Sequence, residues 1–155
     1  MSESEVSAKV GNKVGFEGVS PILRVANLQA STDYYVQKLG FKLDWTTSTF
    51  NLVSRGRCGI FLSQDDQGHP GSWVWIGVED AEELHEEYKV SGAKIRNPPT
   101  NFEWALEIQV EDLDGNVLRM GSEPRADEPI GAWLDMDGVR WAKTPQGDYI
   151  RVMEN

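Results

Sequence analysis

The chain has 155 residues, enough for one domain with a substantial core and too few for two ordinary ones. At 39% hydrophobic and 26% charged, with a net charge of −10, its composition is that of a globular protein whose field repels phosphate backbones and anionic lipid. Nucleic acid and membrane surfaces are therefore poor expected partners, whereas a cationic ligand would be attracted. No apolar run reaches the roughly 18 residues that a membrane helix needs, and no secretory apolar region follows Met1. The one cysteine, Cys58, excludes an internal disulfide and suits a reducing, cytoplasmic setting.

Residues 1–16 lack periodicity and read as a flexible N-terminal arm. A strand is expected over 17–25. Asn27 is a plausible N-cap for a helix whose Leu28, Thr32, Tyr35, Val36 and Leu39 share one face, with Gly40 as the stop. Three strand-like runs follow at 41–47, 50–54 and 57–63, with Arg55-Gly56 as the turn before the last. The polar stretch 64–72, with Gly68, Pro70 and Gly71, is a linker between two halves.

The order then repeats. Residues 73–78 read as a strand, and Asp80 with Glu83 forms a capping box for a helix that places Ala81, Leu84, Tyr88 and Ser91 on one face and ends at Gly92. Strands at 93–96, 104–111 and 116–121 complete the second unit. The fold class is α+β: two tandem βαβββ modules over 17–121, an internal repeat with little identity between its halves. Residues 122–155 form a β-rich C-terminal extension. A hairpin is expected over 133–141 on a two-residue turn at Asp137-Gly138, which would set Asp135 opposite Arg140; Pro145-Gln146-Gly147 is a further turn before a last strand at 148–153.

Two metal-like patterns have simpler readings. Asp112-Leu113-Asp114-Gly115-Asn116 begins like a calcium loop but lacks the bidentate Glu that such a loop needs at its twelfth position, and reads as a hairpin turn. Asp65, Asp66 and His69 share one solvated linker, and His85 sits on a Glu-rich helix face where it is expected to be exposed. Neither a Ser/His/Asp or Cys/His arrangement nor a Gly-rich phosphate loop is present.

The stretch 20–45, with Leu39-Gly40-Phe41, Phe61-Leu62-Ser63, Trp73-Val74-Trp75-Ile76, and Trp104 followed by Glu107, resembles the vicinal oxygen chelate superfamily. That superfamily includes glyoxalase I, extradiol dioxygenases and bleomycin-resistance proteins, and the resemblance is closest to its metal-free bleomycin-resistance branch. It implies that the tandem modules form a curved mixed sheet around a ligand cleft. It also implies that Ser20, Phe61, Trp73 and Arg119 stand at the four positions where metal-using members hold their ion. None of these is an adequate ligand set, since Phe and Trp offer no lone pair and Arg is cationic, so neither metal nor cofactor is expected.

Carried over residue by residue, the branch's drug groove implies ligand-binding roles for Asp44, Trp45, Phe50 and Trp104. The implied ligand positions add Phe61, Trp73 and Arg119 on the cleft side, and strand alternation adds Trp75 and Glu107, with Gln109 beside Glu107; if Ser20 takes the cleft-facing place, Ile22 and Arg24 share the first strand's cleft side. Stacking on planar heteroaromatics would contribute about 0.5–1.5 kcal/mol per ring pair, and Asp44 would favour a positive ligand tail. The resemblance thus implies a homodimeric binding protein that sequesters a cationic aromatic small molecule, as in resistance to bleomycin-like antibiotics. The alternative is an enzyme of the same superfamily, a lyase, isomerase or dioxygenase-like protein with a lost or non-standard metal site, in which Glu107 would serve as acid or base.

Overall fold

The computed structural model describes residues 13–126, 128, 130, 131, 133, 134, 137, 139–144 and 146–152. The first module comprises β1 (Ile22–Arg24), α1 (Leu28–Gln37), β2 (Lys42–Thr46), β3 (Phe50–Arg55) and β4 (Cys58–Ser63). The second comprises β5 (Trp73–Gly77), α2 (Ala81–Ser91), β6 (Lys94–Asn101), β7 (Leu106–Glu111) and β8 (Val117–Ser122). Each module forms its own four-stranded sheet, in the orders β1-β4-β3-β2 and β5-β8-β7-β6, so the α+β tandem repeat is realised as two sheets, neither closed into a barrel. In both, the first strand runs parallel to the last and the other pairs are antiparallel.

Local chemistry explains the element ends. The Asn27 side chain accepts from the Ala30 N–H at 3.0 Å and starts α1; Asp80 accepts from the Glu83 N–H at 3.1 Å and starts α2. Gly40 is required twice over. Its φ of 78° turns the chain out of α1, and a Cβ there would stand 2.5 Å from Arg55 Nη1. That guanidinium bonds the Leu39 carbonyl and grips Glu87 of α2 through both nitrogens, at 2.6 and 2.8 Å.

Alternation along each strand sends one set of side chains to a single core between the modules. Leu23, Val25, Val53, Ile60 and Leu62 from the first sheet meet Ile76, Leu106, Ile108, Val110, Leu118 and Met120 from the second, around Tyr35 and Tyr88 of the helices. Polar tips cross the same seam: Tyr35 donates to Asp112 at 3.0 Å, Tyr88 to the Leu39 carbonyl at 2.9 Å, and Asp114 accepts from the Ala26 N–H at 2.8 Å. The turn at 112–116 is held by Asp112 and Asn116, the structural part expected of it. With one face of each sheet committed to this core, the opposite faces are left to carry the site.

Several expectations need correction. Strand β1 begins only at Ile22, because Pro21 offers no N–H to the ladder and residues 13–20 are exposed coil. Val36 is exposed, lying about 100° around α1 from the Tyr35 direction. Arg55 pairs with Cys58, so the turn residues are Gly56 and Arg57. His85 is partly buried, and the resulting desolvation lowers its pKa. Strand β6 runs on to Asn101 through Pro98 and Pro99; the second of its two register shifts, between Asn97 and Thr100, absorbs the prolines, as an edge strand permits.

The extension forms a third sheet, ordered β11-β10-β9, from β9 (Trp133–Leu134), β10 (Arg140–Lys143) and β11 (Tyr149–Arg151). Arg140 pairs with Leu134 rather than with Asp135, a correction to the expected register. Asp135, Gly138 and Pro145 lie outside the described residues.

Candidate functional site

On the first sheet, one irregularity decides where the site residues point. Leu43 pairs with Val53, yet Trp45 pairs with Leu52, so Asp44 is an extra residue in β2. A bulge of this kind shifts the alternation by one. Leu43 lies opposite the core residue Val53, whereas Trp45 is set on the other face, in a row with Leu52, Phe61 and Ile22 across the sheet. Three rings then form a ladder: Trp45 meets Phe50 edge-on at 5.9 Å, and Phe50 stacks on Phe61 at 5.1 Å. Asp44 itself lies 3.5 Å from Lys42 Nζ. Ser20 Oγ stands beside Gly59 of β4, where an added Cβ would be 3.3 Å away.

The second sheet carries charge where the first carries rings. Because Leu106, Ile108 and Val110 enter the core, Glu107 and Gln109 lie on the opposite face, in register with Gly121 and Arg119. Glu107 is fully buried, and its carboxylate is surrounded by donors: Arg119 Nε at 2.5 Å and Nη2 at 3.0 Å, Trp104 Nε1 at 3.0 Å and Gln109 Nε2 at 3.5 Å. These donors replace the water that a buried carboxylate loses. The same hydrogen bonds raise the pKa of Arg119 above its already high ordinary value.

Two guanidinium groups cover tryptophans on this face. Arg119 lies 5.3 Å from the Trp75 ring centre and Arg96 lies 5.0 Å from that of Trp73. Trp75 lies flat over Gly121, where a Cβ would meet its Cη2 at 2.3 Å. Arg96 also bonds Gln109 Oε1 at 2.5 Å and approaches Glu111 at 3.5 Å. Trp104, in the turn between β6 and β7, stacks on buried Phe102 at 4.7 Å with the planes only 4° apart.

A family model described as the Glyoxalase/Bleomycin resistance protein/Dioxygenase superfamily matches residues 18–120. The chain belongs to this superfamily. Among solved structures, the bleomycin-binding protein of bleomycin-producing Streptomyces verticillus, in complex with copper(II)-bleomycin, is 25% identical with a TM-score of 0.62, covering 70% of this chain and 98% of that one. A bleomycin resistance determinant encoded on the transposon Tn5 is 18% identical with a TM-score of 0.62 over 70% and 98% of the two chains, a likeness of fold. Among curated proteins, an arginine–tRNA ligase of Hydrogenovibrio crunogenus is 29% identical over 101 residues, 64% of this chain but 16% of the ligase.

A divalent ion does not fit the four residues that the resemblance sets at the family's ligand positions. Phe61 is stacked on Phe50, Trp73 lies under Arg96, and Arg119 is paired through two nitrogens with Glu107, which leaves Ser20 as the one donor of the four. Among the described residues, no group of three or more His, Cys, Asp and Glu side chains could hold an ion.

The expected site residues thus fall into two groups. Trp45, Phe50 and Phe61 are joined on the first sheet, and Trp75, Trp104, Glu107, Gln109 and Arg119 on the second, with Trp73 and Arg96 beside them. Among the described residues, the ring contacts, hydrogen bonds and ion pairs given above lie within one group or the other. Arg96 and Phe102 were not among the residues expected from sequence. Arg96 lies within the strand expected at 93–96, but it is the extra residue of the register shift between Ile95 and Asn97, which alternation along one strand does not reveal; Phe102 could have been found from its spacing of two from Trp104.

Proposed function

We propose that the protein binds and sequesters a small molecule that is cationic and partly aromatic, and returns it unaltered. The observation that carries this reading is the state of three tryptophans. Trp45, Trp75 and Trp104 remain 49%, 48% and 51% exposed, yet each is held by a neighbouring ring or guanidinium on a rigid scaffold. Fixed, half-open rings are suited to stacking, because little conformational freedom is lost when a planar ligand docks. The net charge of −10 favours the approach of a cation, and Asp44, beside Trp45 in sequence, favours its positive group. The similarity to a bleomycin-binding protein at 25% identity supports the same ligand class.

Glu107 is better suited to structure than to catalysis. Its two oxygens already meet four donors, so a substrate proton would have to displace one of them. In this reading the protein is a homodimer whose grooves take one sheet face from each subunit, which would join the aromatic ladder of one chain to the charged face of its partner. A cytoplasmic location goes with it; among the described residues, no helix is long and apolar enough to cross a membrane.

Calorimetric titration with bleomycin and with a simple bis-heteroaromatic dication tests the proposal. Binding in the micromolar range or tighter that weakens with added salt is expected, since part of the attraction is between net charges. Binding weaker than about millimolar for both would overturn the sequestration reading.

A further inference from the structure

The extension grips one short stretch of the second sheet, the end of β6 and its turn into β7. Asn101 is buried there and engaged on every side. Its Oδ1 accepts from the Arg125 N–H at 2.8 Å, and its Nδ2 donates to the carbonyls of Arg125 at 2.7 Å and Glu128 at 3.1 Å. Its own carbonyl accepts from the Gly131 N–H at 3.0 Å. Gly131 packs so closely on Thr100 that an added Cβ would meet Cγ2 at 2.8 Å. Two residues beyond Asn101, Glu103 pairs with Lys143 of β10. Arg125 in turn reaches Glu82, in the first turn of α2, at 2.7 Å. The residue after Glu103 is Trp104.

We propose that the extension, through Arg125, Glu128, Gly131 and Lys143, acts as a positioning clasp for Trp104. The turn is closed within itself by the Phe102 N–H to the Ala105 carbonyl at 2.8 Å, a small constraint for a segment that must hold an indole parallel to Phe102 and hydrogen-bonded to Glu107. The extension holds both Asn101 and Glu103, at the start of this turn, and ties that region to α2. A stacking platform displaced by about an ångström loses much of its value to a bound ring, so the shell behind it sets affinity. Asn101 is a positioning residue in this account, acting through Trp104, and the proposal rests on the reading that Trp104 contacts the ligand.

The test uses the full chain carrying Asn101→Ala. Hydrogen exchange without ligand should show the amides of 102–107 opening about tenfold faster or more, together with those of 123–131. With bleomycin as the probe, the substitution should weaken binding about tenfold in the native background, yet less than about twofold when Trp104→Ala is already present, because both changes remove one interaction. Lys143→Met, which removes the pair with Glu103 at a partly exposed position, should act in the same direction more weakly. Faster exchange confined to 123–131, or an equal loss of affinity in both backgrounds, would overturn the clasp. Failure of the unaltered protein to bind bleomycin would count against sequestration, whereas the exchange result would still decide whether the extension holds the turn.

Discussion

Arg119 and Glu107 show how a pair can be recognised in sequence while its role depends on neighbours. Strand alternation places both on one face, but the donors from Trp104 and Gln109 become visible only when the turn and β7 are folded. Glu107 is completely buried and the Arg119 side chain is 33% exposed, so removing the cation would strand a carboxylate without its strongest partner. Arg119→Met should therefore destabilise the fold by about 2–4 kcal/mol, measured by urea unfolding, after allowing for the partial exposure of the arginine. A loss below about 0.5 kcal/mol would mean that the pair is not a structural support. Trp104→Ala differs in kind, because half of that ring faces solvent. Its main expected effect is on binding: about 1–3 kcal/mol, or ten- to a hundredfold in affinity for bleomycin, with much smaller damage to stability. An unchanged affinity would remove Trp104 from the site.

Among the elements, the two helices and most strands follow from caps and periodicity, since Asn27, Asp80 and Gly40 act through chemistry carried by single residues. The misplaced strand registers share one cause: they are settled by a partner strand. The bulge at Asp44, the continuation of β6 through Pro98-Pro99, and the Arg140–Leu134 register are properties of pairings, and alternation in one strand does not reveal an extra residue opposite another. Contacts between elements also carry a pH dependence. The hydrogen bonds from Arg55 lower the Glu87 pKa from its ordinary 4.5, so the folded state binds its proton less readily than the unfolded chain. The stability from this clasp between α2 and β3 is thus present above pH 4.5 and is lost as pH falls through the depressed folded value. Both side chains are substantially exposed, which limits the contribution to about 0.5–1 kcal/mol. Glu87→Gln should cost about that much at pH 7 and progressively less as pH falls below 4.5, by thermal unfolding; a cost that does not change with pH would show that charge is not its source.

At the scale of the whole molecule, each sheet commits one face to a common core and presents a different chemistry on the other: rings on the first sheet, guanidinium and carboxylate groups on the second. That division was legible in part, because the resemblance pointed to Trp45, Phe50, Phe61 and Arg119, and alternation along β7 to Glu107 and Gln109. Their division among the described residues into two clusters, each with its own contacts, was not, since alternation gives a face but not what lies across from it. In the proposed homodimer, a second copy supplies the opposing face, and the dimer and the ligand site are one hypothesis. Native mass spectrometry of the protein with bleomycin tests it most directly. The account predicts a species of twice the 17.4 kDa chain mass carrying bleomycin whose own mass is unaltered on release. A monomer without ligand at concentrations up to about millimolar, or a released ligand of changed mass, would contradict it.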